Sequence, residues 1–150
     1  MQFRLATKAD LPEIVRLLAD DHLGATRERY SDPLPESYGQ AFDALQRIGC
    51  EVILALDDTS AIIGCLQFMI LPGLGQQGQW RAQIEAVRIE SRLRGKGLGS
   101  ELIRYAIARA REKGCGVVQL TSDNSRAGAH RLYERLGFKA SHVGMKLKLD

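Results

Sequence analysis

Seven consecutive residues, Arg94-Gly95-Lys96-Gly97-Leu98-Gly99-Ser100, carry the clearest chemistry in this chain. They stand between an apolar run with strand character and a long stretch with helical periodicity. The first amides of a helix have no internal partners, and the helix dipole adds partial positive charge there. A phosphate suits that end of a helix. Gly95, Gly97 and Gly99 have no Cβ to hold a ligand off the backbone, and Arg94 and Lys96 add full charges and further donors. Arg88 and Arg92, a few residues upstream, enlarge the basic cluster. A dinucleotide fingerprint requires G-x-G-x-x-G. Counted from Gly95 its last place falls on Ser100, and counted from Gly97 it falls on Leu102. A nucleotide-binding P-loop requires Lys followed by Ser or Thr, whereas Lys96 is followed by Gly97. An anion site of another kind is the sharper reading. A glycine-rich turn or a solvated basic surface is the plainer one.

The elements that must position this loop follow from periodicity and punctuation. Gln2–Ala6 alternates, with Phe3 and Leu5 on one face, as a short strand does. Asp10 is placed to cap a helix with Pro12 in its first turn and Leu11, Ile14, Val15, Leu17 and Leu18 as its apolar stripe. Residues 20–38 are polar, contain Pro33 and Pro35, and read as a loop. A second helix is expected over Glu36–Ile48. Two strands, Glu51–Leu56 and Ala61–Leu71, flank the short polar turn Asp57–Ser60. After the glycine-rich connection Pro72–Gln79, Trp80–Ile89 alternates as a fourth strand. Leu98–Lys113 is the clearest helix, with Gly114 as its stop. Val117–Thr121 reads as a buried strand, Ser125–Leu136 as a helix, and Phe138–Ala140 and Val143–Leu149 as closing strands. This order, with antiparallel hairpins early and one βαβ unit late, predicts a mixed α/β or α+β fold.

The bulk properties bound the function. The chain has 150 residues, room for one domain over residues 1–150 with one core. A formal charge of +3 makes no case for nucleic acid. Cys50, Cys65 and Cys115 form no CxxC pair and suggest neither a disulfide framework nor a metal site. The N-terminal residues carry no apolar targeting segment and no stretch reaches membrane-spanning length, so a cytoplasmic protein away from membranes is expected.

Three segments in order resemble the GNAT superfamily of N-acetyltransferases. The family signature Q/R-x-x-G-x-G/A reads Arg94-Gly95-Lys96-Gly97-Leu98-Gly99 here. The run Gln83–Ile89 resembles that family's central strand, and Asn124 through Phe138 (NSRAGAHRLYERLGF) resembles its Asn then A-x-x-x-Y-x-x-x-G-F segment. The opening FRLATKADLPEIVRLL is similar to its first strand and helix. Within the superfamily, Arg81 to Leu149 looks like small-molecule amine and aminoalkylphosphonate acetyltransferases. The resemblance implies a twisted mixed sheet of about seven strands with about four helices, splayed between strands 4 and 5.

It also implies a chemistry: transfer of the acetyl group of acetyl-CoA to a primary amine of a small molecule by direct attack in a ternary complex. The coenzyme pyrophosphate would lie on the amides from Gly95 to Ser100, with Arg88, Arg94 and Lys96 as the charged surround. The pantetheine arm would pair with backbone groups of Val87 and Ile89, with Asn124 and Arg126 reaching toward it. The amide of Val87, at an expected bulge, would stabilise the oxyanion. Tyr133 would be the general acid toward the leaving thiolate; the alternative is a tyrosine packed in the helix. Glu85 is the candidate base, directly or through water, or a group that only binds the ammonium or pairs with Arg81. Strict alternation would put Glu85, Val87 and Ile89 on one face. Asp20, Asp21, His22, Tyr30 and Trp80 are weaker candidates for the acceptor side. No metal is expected. Acetylation of protein or peptide, and a non-catalytic acyl-CoA-binding module, are the competing functions. By fold-level analogy a homodimer is allowed for.

Overall fold

The computed structural model describes residues 1–150. Its centre is a sheet of five strands in the order of the chain: β1 (Gln2–Leu5), β2 (Glu51–Leu56), β3 (Ile62–Leu71), β4 (Arg81–Ile89) and β5 (Val117–Leu120). The first four pair antiparallel, and β5 joins β4 in parallel after a helical crossover. Helices α1 (Leu11–Ala19), α2 (Gly24–Arg27) and α3 (Glu36–Arg47) come before β2. The single turn α4 (Gly75–Gly78) links β3 to β4. α5 (Leu98–Glu112) makes the crossover, and α6 (Ala127–Arg135) comes after β5.

Both faces of the sheet are covered, which is why β2 reads as an unbroken apolar run. On one face, Leu102, Ile103, Ala106 and Ala110 of α5 pack against Ile53, Ala55, Leu66, Phe68, Ala82 and Ile84. On the other, Ile14 and Leu17 of α1 meet Leu54, Leu56 and Cys65. Burying one such large side chain contributes about 1.5–3 kcal/mol. The hairpin between β2 and β3 is closed as its sequence predicts. Asp57 accepts the amides of Thr59 at 2.8 Å and Ala61 at 3.0 Å. Asp10 differs from expectation. Its carboxylate turns back to accept the amide of Thr7 at 2.8 Å and two hydrogen bonds from Arg4, and it makes no cap bond to α1.

Two features of β4 shape the space around its C-terminal end. Its ladder with β3 shifts register between Cys65 and Gln67, where Leu66 stands opposite both Ala86 and Val87, and Ala86 takes a left-handed φ of 53°. That bulge moves the later side chains over by one place. Glu85 therefore shares a face with Gln67 and Arg88 with Cys65, on the side of α1, while Val87 and Ile89 pack toward α5. The single-face alignment of Glu85, Val87 and Ile89 expected from alternation is thus corrected. In addition, β5 pairs with β4 only over Arg81–Ile84. Beyond Ile84 the two strands part, giving the expected splay.

The count of seven strands is also corrected: residues 138–140 and 143–149 form no ladder, and the sheet stops at β5. Their alternation favours a strand, but a strand exists only when its backbone groups pair with a neighbour, and residues 143–149 make no such hydrogen bond. The two helices beyond the four expected are the single turns α2 and α4, which local composition does not announce.

Candidate active site

The end of β4 leads through a 3-10 turn, Ser91–Leu93, into the glycine segment. Gly95 has φ 76° and Gly97, the residue preceding α5, has φ 84°. These left-handed conformations would strain any side chain, and they aim the chain so that the first turn of α5 faces open space. A Cβ built on Gly95 or Gly97 meets nothing within 4 Å, whereas one on Gly99 lies 3.2 Å from the Leu132 side chain. Gly99 thus lets α6 come close to α5. Arg94 fastens the segment from behind. Its Nε donates to the carbonyl of Ile89 at 2.9 Å, and a terminal nitrogen donates to the carbonyl of Asp20 at 2.6 Å. The Asp20 carboxylate accepts the amide of Ser91 at 2.7 Å.

The splay opens a cavity of about 440 Å³. The glycine segment, Val87 and Ile89 line one wall, and Ala129, Leu132 and Tyr133 of α6 line another. At one end of it lies an ion cluster. Asp21 accepts a hydrogen bond from Arg126 at 2.6 Å and from the amide of Gly24 at 2.6 Å. Arg88 Nε stands 3.6 Å from the same carboxylate, too far for a hydrogen bond, and is buried without an acceptor. Another Arg88 nitrogen donates to the carbonyl of Val87 at 2.8 Å. Burial pushes the Asp21 carboxyl upward, but the Arg126 and Gly24 hydrogen bonds and the charge of Arg88 outweigh it and hold the group down at about 2. Burial and the like charge of Arg126 lower the pKa of Arg88.

Tyr133 projects from α6 into the cavity, its ring edge-on to Phe138 at 5.8 Å. Burial raises its phenol pKa, against the opposing charges of Arg126 and Arg88. The cavity thus brings together Val87, Arg88, Ile89, Arg94, Gly95, Gly97, Leu98, Gly99, Ser100, Arg126 and Tyr133. It leaves outside its lining Glu85, Lys96 and Asn124, all three of them exposed. Glu85 accepts a hydrogen bond from the Gln83 amide at 3.1 Å, and Gln83 accepts one from Gln119 at 2.7 Å. Cys65 is buried, which drives its thiol up to about 12 and keeps it from acting as a nucleophile.

Residues 12–138 match the sequence profile of the Acetyltransferase (GNAT) family. The chain belongs to that family. Across nearly its whole length it is similar to an L-methionine sulfoximine/L-methionine sulfone acetyltransferase of Pseudomonas paraeruginosa. The two are 31% identical over 95% of this chain and 85% of the relative. A glucosamine 6-phosphate N-acetyltransferase of Trypanosoma brucei brucei is 36% identical over 61% of this chain and 60% of its own length. Among solved structures, a protein from Bacillus halodurans C-125 described as a transcriptional regulator superposes with a TM-score of 0.94. It is 49% identical, with 99% of each chain covered.

In this GNAT chain the most consequential residue that sequence reasoning undervalued is Asp21. As one of three adjacent polar residues, Asp20-Asp21-His22, it looks like an exposed helix end, yet its carboxylate lies at the junction of α1, β4 and α6. Leu93, Leu132 and Arg135 also line the cavity without having been singled out. Leu132 had a signal: it precedes Tyr133 on a helix whose neighbour carries Gly99. The backbone carbonyls of Val87 and Ile89 are each occupied by a guanidinium of this chain.

Proposed function

We propose that the protein transfers the acetyl group of acetyl-CoA to the primary amine of a small acceptor that also carries an acidic group, with both substrates bound at once. The observation that carries this reading is the single cavity joining the open first turn of α5, the Tyr133 phenol and the Arg88–Asp21–Arg126 cluster. The residues fit the coenzyme. Gly95 and Gly97 leave clear ground where a Cβ would stand, and the α5 amides behind it suit a pyrophosphate. Gly95, Gly97, Leu98, Gly99 and Ser100 would hold that group, with Lys96 and Arg94 adding positive charge. The coenzyme supplies an activated acetyl thioester.

The chain's own groups do the rest. Tyr133, kept protonated by burial, donates its proton toward the departing sulfur. The amide of Val87, beside the bulge at Ala86, serves the developing oxyanion. Glu85, on the face of the sheet that carries α1, receives the acceptor's ammonium and, through water, its proton. Arg88 and Arg126 are two guanidinium groups that share contact with one carboxylate, and Arg88 Nε lacks an acceptor. A carboxylate or phosphate on the acceptor would supply one. Methionine sulfoximine and glucosamine 6-phosphate, the acceptors named for two relatives, both combine an amine with an acidic group, which supports the same class.

The test is thiol release from acetyl-CoA across an acceptor panel: L-methionine sulfone, its amide, glucosamine 6-phosphate, glucosamine, a polyamine and a peptide. The acidic members should react with kcat/KM at least tenfold above their neutral counterparts. A preference for the peptide would sink the small-molecule reading. Tight acetyl-CoA binding with no turnover on any acceptor would favour a binding module.

A further inference from the structure

Leu11, Ile14 and Leu18 recur on α1, and Tyr38, Phe42 and Leu45 on α3, at spacings that put each set on one face of its helix. The two stripes enclose a second cavity of about 140 Å³, with Cys65 and Ala86 of the strands beneath. An apolar cavity of roughly 150 Å³ stays dry and takes a benzene-sized guest. Gln67 is the one lining residue outside the hydrophobic class. The Tyr38 hydroxyl is already engaged, donating to Glu28 at 2.7 Å and accepting the amide of Arg29 at 3.0 Å. Leu18, Tyr38 and Leu45 at the rim are only half-buried, so the cavity opens outward.

This cavity adjoins the acceptor end of the site. Ala86, in its lining, is the bulge residue between Glu85 and Val87, and Gln67 stands opposite Glu85 in the ladder. The end of α1 that carries Leu18 lies against the end of β4, because Asp20 accepts the amide of Ser91 at 2.7 Å. Glu28, held by Tyr38, is near enough to Arg88 for its charge to act there. Three different surroundings thus meet: the Glu85 carboxylate, the Arg88–Asp21–Arg126 cluster, and apolar space. An α-amino acid presents three matching groups from one carbon atom, its ammonium, its carboxylate and its side chain. A sugar would carry hydroxyl groups into the cavity, where only Gln67 could receive them, and a buried hydroxyl without a partner is costly.

We infer that the acceptor, in the acetyl transfer proposed above on which this reading rests, is an α-amino acid whose apolar side chain lodges between α1 and α3. The side chain is of the size of leucine, methionine or phenylalanine. The amino acid's nitrogen bonds to the acetyl carbon as the C–S bond breaks. Glu85 takes one proton from the ammonium before the attack, Tyr133 protonates the departing sulfur, and the nitrogen's second proton restores the Tyr133 phenol. The products are the N-acetylated amino acid and the free coenzyme thiol, with one proton released net. The cavity adds selection to that step and no chemistry. One methylene in an apolar pocket changes kcat/KM by roughly 10- to 200-fold, so the residues of α1 and α3 set which amino acids are used.

Thiol release with saturating acetyl-CoA tests it, the acceptors being glycine, L-alanine, L-leucine, L-methionine, L-phenylalanine and glucosamine 6-phosphate. Leucine and methionine should exceed alanine and the sugar phosphate in kcat/KM by at least about tenfold. Leu45→Ala enlarges the cavity and should raise the phenylalanine-to-leucine ratio by about tenfold. Ala41→Phe, at the exposed rim, should lower the leucine-to-alanine ratio by about as much. Each ratio is internal to one protein, so a loss of folded protein cannot imitate it. Equal use of alanine and leucine, a preference for glucosamine 6-phosphate, or a ratio unmoved in either variant would overturn the side-chain site and leave acetyl transfer standing. Turnover of no acceptor would overturn acetyl transfer itself, and the side-chain site with it.

Discussion

At the scale of single residues, environment more than identity assigns the roles. Tyr133 is one of four tyrosines, and what sets it apart is a half-buried phenol facing the cavity. Tyr133→Phe should lower kcat by roughly 10²- to 10⁴-fold while leaving the acetyl-CoA dissociation constant within about twofold, read by thiol release and titration calorimetry. An equal loss in both would make the tyrosine a packing residue. The raised pKa has a sign for stability too. A group that holds its proton more tightly when folded stabilises the fold below its unfolded value, about 10, and loses that contribution as pH rises through the folded value. Asp21 works in the opposite sense. Its folded pKa of about 2 lies below the ordinary value near 3.9, so its contribution is present above pH 4 and lost as pH falls toward 2. Asp21→Asn should flatten the acid limb of the melting temperature in that window; an unchanged limb would mean the carboxylate does not stabilise the fold. Tyr133 is pointed to only by the family resemblance, whereas the glycine segment could be read from its local chemistry. Asp21 could not, since its partners, Arg88 and Arg126, lie 67 and 105 residues away and meet it only through the fold.

At the scale of elements, the sequence shows which residues alternate and conceals where the alternation is interrupted. The strand β4 and the helix α5 are both evident from periodicity, and the structure places them as expected. The bulge is not evident, because Ala86 is an ordinary residue for a strand and nothing in its type announces a φ of 53°. Its consequence is large: it sends Glu85 and Arg88 to the side of α1 and turns Val87 toward the cavity. A left-handed non-glycine residue costs about 1–2 kcal/mol, part of which glycine gives back through chain entropy. Ala86→Gly should therefore raise stability by up to about 1 kcal/mol in urea unfolding and leave the coenzyme site intact. A destabilised variant would show that the bulge is held by the alanine methyl and not merely tolerated.

At the scale of the whole molecule, the proposed function assigns the glycine segment and α6 to the coenzyme and the end of α1 to the acceptor. Acetyl-CoA at about 100 times its dissociation constant should stabilise the fold by about 2.7 kcal/mol, raising the melting temperature by roughly 5–11 °C for a chain of this size. No shift at that concentration would remove the donor site. The extent of the sheet was the least legible property, because alternation in residues 143–149 records a preference for pairing and not the identity of the neighbour. The Arg94 side chain spans the two sides, binding the carbonyls of Ile89 and Asp20. Both acceptors belong to the main chain, so the strut survives any change of side chain at either position that leaves the backbone in place. The course of the glycine segment is therefore insulated from side-chain drift at the ends of β4 and α1.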